Sequence, residues 1–310
     1  MTGTEIMAFL ANNMEPVASV VGPVAGAIFT AIFLRNDTAT KEFEKVKAGK
    51  LQEVADDLLE SGRMTYTEYY KAKNFLQVAK KADEEYKKAP HEEKTGGYNF
   101  DWFVRFYEAV GNISNEEMQR IWAKILAGEI RHSNTYSLRC IDVMKNISQS
   151  EADLFTKVCG YCICEGEKIF FPNYDKYRED SNISFSEIMF LDELGLISSD
   201  SMLILHCPVS TEPTVLFTNG ALLMTIKAMK EKTRTFDVRQ FPLTAVGKEI
   251  STLIGNSISD EDFIRVAEKL NESQEVVISV HKILEAQNNK YKCDEADLLV
   301  EEHETTRNSG

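Results

Sequence analysis

The sequence predicts a mainly α protein with a smaller α+β part: an N-terminal apolar helix, then helical hairpins, then a C-terminal winged-helix-like module. Three observations predict it. Residues 16–34 carry no charge. Residues 38–158 repeat large apolar side chains at helical spacing between capping signals, and after Phe155 short runs rich in β-branched and aromatic residues alternate with short helices. A chain of 310 residues exceeds what one core usually holds, so units are expected at 1–37, 38–90, 98–158, 159–288 and 289–310.

The first unit is the run "PVASVVGPVAGAIFTAIFL", which at about 1.5 Å per residue reaches about 28 Å, close to the hydrocarbon thickness of a bilayer. Its nine Val, Ile, Leu and Phe side chains favour insertion by about 3 to 5 kcal/mol before penalties for Pro, Gly, Ser and Thr. Arg35, Lys41, Lys45, Lys47 and Lys50 follow the run and no Lys or Arg precedes it, so a single pass would leave the bulk of the chain cytosolic. Ala18, Gly22, Gly26 and Thr30 recur every four residues, a small-residue face on which two copies could pack as a homo-oligomer. The alternative is an apolar helix in a soluble core, which would make the whole protein cytoplasmic.

Residues 40–59 place Phe43, Val46, Leu51, Val54, Leu58 and Leu59 at helical intervals, with Gly62 to end the helix. "TYTE" at 65–68 reads as a capping box opening a second helix to about Lys88, so the pair forms a hairpin. A linker follows from Pro90 to Gly97. A second helical group starts at an Asn99 or Asp101 cap with Trp102, Phe103, Phe106 and Val110 inward, and "SNEE" at 114–117 and "SQSE" at 148–151 each read as a capping box. Over 115–130, Met118, Ile121, Trp122, Ile125 and Leu126 form one buried stripe. Glu129, Arg131, Arg139 and Asp142 are spaced to exchange charge-assisted hydrogen bonds across the turn "HSNTYS", a structural network beside Trp122. A reactive site there would need a nucleophile or base with a partner, and His132 followed by Ser133 does not supply one.

The string "DWFVRFYEAVGNISNEEMQRIWAKILAGEIRHSNTYSLRCIDVMKNISQSEADLF" resembles the core motif of the bacterial Domain of Unknown Function 2806 family, whose "LWARILAGE" and "SLR" stand here as "IWAKILAGE" and "SLR". The resemblance covers residues 99–158, and "LDELGLI" with "LTAVGKEI" is similar to the family's later region. It implies a shared fold and brings no catalytic residues with it.

Beyond residue 159, "EKIFF", "MLILHC", "TVLFT", "ALLMTIK", "FDVRQF" and "VVISVHKIL" read as strands, and Asn219-Gly220 reads as a type I′ hairpin turn. "SFSEIMFLDELGLI" is a short helix ending near Gly195, and "LTAVGKEISTLIG" is another, capped by Thr244. A DNA-reading helix would present Arg, Lys, Asn or Gln, whereas the first of these presents Glu187, Asp192 and Glu193. Residues 181–310 hold 12 basic and 21 acidic side chains, and Lys227, Lys230, Lys232 and Arg234 are their one basic concentration. Nucleic acid is therefore disfavoured as a partner, although a soluble nucleic-acid-binding regulator stays the first alternative.

The whole-chain balance of 35 basic against 49 acidic residues points the same way. Cys159 and Cys162 have metal-ligand spacing without a second pair, so the six cysteines read as reduced thiols and no cofactor or metal is expected. The last eighteen residues carry six acids and Arg307 as their one base, and are expected to fray. These readings converge on a non-enzymatic, membrane-anchored protein that works by protein contact or sensing with an unknown protein partner. A stress or phage-defence role follows only by analogy, and an enzyme with an unrecognised site is the third class.

Overall fold

A computed structural model describes residues 48–88, 99–165, 168–200, 203–230, 235–255, 258–272, 275–287, 290–294 and 299–301. Contacts divide the chain into two units, residues 1–146 and 147–310. The uncharged run 16–34, with Ala18, Gly22, Gly26 and Thr30, lies outside the described residues. Among those described, no helix is long and apolar enough to cross a membrane.

The described residues of the first unit form α1 (Ala48–Glu60), α2 (Tyr66–Lys87), α3 (Phe100–Val110), α4 (Glu116–Arg131) and α5 (Leu138–Asn146). Gly62 turns the chain at φ +68°, a left-handed conformation that glycine adopts without a Cβ clash. Thr65 and Glu68 then form the expected reciprocal capping box, whose bonds from the Thr65 hydroxyl and backbone hold the Glu68 carboxyl below its usual range. Asn99 caps α3 by accepting from the Trp102 backbone N–H. At α4 the cap is Asn115, accepting from Met118, and not Ser114; both are good cap formers, and the chain uses the later one.

The core of this unit is aromatic. Phe75 of α2 meets Phe103, Phe106 and Tyr107 of α3 edge-on, with ring centroids 5.6, 6.3 and 5.3 Å away. Trp102 stacks on Phe106 at 5.0 Å, and Phe106 meets Trp122 edge-on at 5.5 Å. Such pairs add about 0.5 to 1.5 kcal/mol each beyond the burial of their area.

The second unit overturns the expected fold class. It is not a helix with a hairpin wing appended to a mainly helical chain. Its frame is a nine-stranded antiparallel sheet in the order β3-β6-β2-β1-β4-β5-β7-β8-β9. The strands are β1 (Ile163–Glu165), β2 (Lys168–Pro172), β3 (Ile204–Pro208), β4 (Thr214–Thr218), β5 (Leu222–Ala228), β6 (Thr235–Pro242), β7 (Val276–Gln287), β8 (Lys290–Cys293) and β9 (Leu299–Glu301). All six strands legible as apolar runs are present. They do not stop at a wing because β6 crosses to pair with both β2 and β3, while β5 pairs with β7 along seven residues.

Among the described residues five helices accompany the sheet: α6 (Gln149–Cys159), α7 (Asp175–Ser181), α8 (Phe185–Glu193), α9 (Ala245–Ile254) and α10 (Asp260–Leu270). The capping box of Ser148 and Glu151 opens α6 as expected, and a further one, Ser184 with Glu187, opens α8. Phe170, Phe171, Phe217, Phe241 and Phe263 are fully buried within this unit.

Two local expectations are also corrected. The β4–β5 turn places only Gly220 at positive φ, and the Asn219 side chain accepts from the N–H groups of Ala221 and Leu222, so an Asx-type turn replaces the type I′ turn. Within the tail expected to fray, Leu299–Glu301 pairs with β8. Ladder bonds satisfy backbone whatever the side-chain charge, which lets an acidic segment serve as a strand. β9 returns beside β4, so β4, β5, β7, β8 and β9 curl round a small cluster of Leu223 and Cys293 with Val215, Ile283 and Tyr291.

Candidate functional site

The turn that draws most attention in the sequence is a clasp. Gly128 is needed because a Cβ there would stand 2.7 Å from the Tyr136 ring. Glu129, buried to 2% exposure, turns its carboxylate back and accepts from the backbone N–H groups of Asn134 (2.7 Å) and Tyr136 (3.2 Å). The Tyr136 carbonyl in turn accepts from the Trp102 indole at 2.7 Å.

The expected exchange among Glu129, Arg131, Arg139 and Asp142 does not form. Arg131 reaches away to the Glu85 carbonyl (2.7 Å) and lies over the Tyr86 ring, so it fastens α4 to the end of α2. Asp142 pairs with Arg105 at 3.0 Å, while Arg139 is exposed and makes no ion pair among the described residues. Trp122 is fully buried, and its indole N–H meets no acceptor there. The physical reason is that Glu129 faces two backbone donors of a tight turn at close range, and these outcompete a long, flexible guanidinium. The arrangement satisfies backbone groups of the turn.

A second clasp joins the two later stretches singled out in the sequence. Thr244, the cap of α9, donates through its hydroxyl to the Gly195 carbonyl (2.6 Å) and through its N–H to the Leu196 carbonyl (3.0 Å). Ile197 bridges Leu243, and Gly247 packs so closely that a Cβ would fall 1.9 Å from the Leu196 oxygen. This clasp sets where α8 ends and fixes that helix against the body of the unit.

Cys159 and Cys162 are inert by placement. Cys159 and Cys162 are 4% and 3% exposed; burial, helped by Cys164 nearby, pushes the Cys159 thiol up to about 12, and burial with Cys159 and Cys164 raises Cys162 well above the usual thiol range. Among the described residues no three such side chains converge as a metal group. In native protein, an alkylating reagent is therefore expected to modify exposed Cys164 while Cys159 and Cys162 stay protected until denaturant is added. Mass spectrometry that found Cys162 modified as fast as Cys164 would contradict this placement.

A shallow depression of about 70 Å³ between α7 and α10 is lined by Lys176, Asp180, Arg265, Glu268, Lys269 and Glu272. Two of its cations are already matched, Arg265 to Glu261 and Asp262, and Lys269 to Glu272.

The outer side of α8 differs from the rest of the surface. This helix turns only Ile188 and Leu191 fully inward, a narrow stripe. Phe185, Met189 and Phe190 stand outside it at 43%, 47% and 40% exposure. Single exposed apolar residues are ordinary, but three large ones on a nine-residue helix make a patch. Phe185 rests against Phe241 at 5.9 Å, with the Arg178 guanidinium over its ring.

The sheet continues this surface. Ile204 and Arg239 are opposed across β3 and β6, on the same face as Phe241, and both are exposed. Beside them His206 and Asp237 pair at 2.6 Å, also exposed. On α8 itself, Glu187 is ionised at neutral pH: burial alone would raise its carboxyl, but the bonds from the Ser184 backbone and hydroxyl outweigh that and lower it. Asp192 and Glu193 close the helix, and no basic residue occupies its last turn.

Sequence reading took α8 as an amphipathic helix with an acidic face and missed its apolar exterior. The signal was present: Phe185, Ile188, Met189, Phe190 and Leu191 are more large apolar side chains than one stripe of a nine-residue helix can bury. The basic concentration expected near residue 230 is represented by exposed Lys227 and Lys230; Lys232 and Arg234 lie outside the described residues.

A family model described as "Protein of unknown function (DUF2806)" matches residues 60–267, about two thirds of the chain and both clasps. No curated protein and no solved structure is similar to it.

Proposed function

Since the chain belongs to the DUF2806 family, which assigns it no reaction, we propose from its own residues a non-enzymatic protein that works through protein contacts. The outer side of α8 is the contact surface, and the uncharged run 16–34 attaches the chain to a membrane. The observation that carries the contact reading is the joint exposure of Phe185, Met189 and Phe190 on a helix held firmly by the clasp at Gly195 and Thr244. Exposed apolar area lowers solubility unless something covers it, and a pre-ordered surface loses little conformational entropy when it is covered.

Two measurements test the two halves. A photo-crosslinking residue placed at Met189 is expected to yield discrete adducts in cells, while one at exposed Lys248-side position Thr252 yields none; equal labelling at both would end the contact reading. The membrane half predicts that intact protein sediments with membranes and resists carbonate extraction. Ala27→Arg should release it, because a central arginine costs about 2.5 to 3.5 kcal/mol, most of the estimated gain from insertion. Recovery of the unaltered protein in the soluble fraction without detergent would end that half.

A further inference from the structure

The charge around α8 specifies what covers it. At helical spacing Phe185, Met189 and Glu193 lie in one row, four residues apart, with Phe190 on one margin and Asp192 on the other. The apolar patch therefore runs into two carboxylates at the C-terminal end of the helix. That end already carries the negative pole of the helix dipole, where acids are unfavourable and Lys or Arg is the usual complement.

No basic residue stands in that last turn to relieve it. Among the described residues Glu193 has no ion pair, and the bond Asp192 makes is with a neutral group, the Ser199 hydroxyl at 2.6 Å. Arg178, at the other end of the patch, is already committed to Asp175 and Asn173 and to the Phe185 ring. An apolar row ending in uncompensated negative charge is a template for the reverse pattern.

We propose that α8 docks an amphipathic helix of a partner protein, one carrying two or three large apolar residues at four-residue spacing followed by Lys or Arg, so that its cations sit at Asp192 and Glu193. This rests on the contact reading above and adds the chemistry of the partner. Charge favours this occupant over the others. A second copy laid parallel on the same surface would bring carboxylate against carboxylate, one laid antiparallel would bring its carboxylates to Arg178, whose charge Asp175 already takes, and an anionic lipid surface would be repelled by the same acids. Apolar anchors give such a contact its strength, and the charges fix its direction and its choice of partner.

The test is a selection of helical peptides from a randomised display library against the intact chain, followed by direct binding measurements on the variants. Enriched peptides are expected to combine apolar residues at four-residue spacing with Lys or Arg at one end. Their affinity should fall at least about tenfold with Met189→Asp, and by a similar factor with Asp192→Lys together with Glu193→Lys, and it should weaken as salt rises. Met189 is half exposed and the two acids are exposed, so these variants keep the fold; circular dichroism and thermal melting check that they do.

Enrichment of neutral or acidic peptides, enrichment of nothing, or binding indifferent to Met189→Asp would overturn the proposal. So would a self-associated chain that Met189→Asp makes monomeric, which would assign the surface to a second copy. Adducts at Met189 in cells together with acidic selected peptides would leave the contact reading standing and remove only the basic partner; absence of adducts would remove the reading itself.

Discussion

Gly247→Ala is expected to destabilise the second unit by about 3 kcal/mol or more, although the position is helical. Propensity alone predicts the opposite, since Ala in place of Gly inside a helix gains about 0.8 to 1 kcal/mol. The geometry decides between them. An added Cβ would lie 1.9 Å from the Leu196 carbonyl oxygen and 2.9 Å from its carbon, both backbone atoms held in place by Thr244 and by the Ile197–Leu243 bridge. No flexible side chain can swing aside, so either α9 or the strand-like segment after α8 must move. Urea unfolding followed by far-ultraviolet circular dichroism measures the change, and a variant more stable than the parent would show that the clasp does not exist as described.

Glu129→Ala is expected to cost the first unit about 2 to 4 kcal/mol, because it removes the acceptor for two backbone N–H groups, of which that of Tyr136 is buried. Glu129→Gln should rank between the variant and the parent: its amide carbonyl can accept one of the two N–H groups, but its NH2 meets the other as donor against donor. Both tryptophans of the chain, Trp102 and Trp122, lie in the first unit, so their fluorescence follows that unit alone. Unfolding curves by fluorescence and by circular dichroism should therefore shift together for Glu129→Ala only if the units unfold as one. An alanine variant as stable as the parent would mean that the carboxylate is not a backbone acceptor.

Local signals were legible wherever one side chain answers to a neighbour a few residues away. Thr65 with Glu68 and Ser148 with Glu151 announce helix starts, Gly62 announces a stop, and β4, β5 and β6 stand out as apolar runs. What stayed hidden depends on partners far along the chain. Nothing within "FDVRQF" tells that its strand pairs with residues 170–172 on one side and 204–208 on the other, so a helix beside a hairpin read as a wing when it was part of a nine-stranded sheet.

The same limit applies to the site. Glu129 was correctly placed at the turn, but an acid amid arginines suggested ion pairs, and the nearer backbone donors could be found only once the turn had a shape. The two stretches that resemble the family's motifs contain the two clasps.

The sheet order also sets a timetable for the newborn chain. Pro172 of β2 pairs with Gln240 of β6, so that side of the sheet cannot close until a segment far downstream has left the ribosome, several seconds later at about 5 to 20 residues per second. The helical unit, built from near neighbours, has time to finish first, while β1 and β2 wait with open edges. During that interval a chaperone has its natural opening, and slowed translation between β2 and β6 would lengthen the exposure.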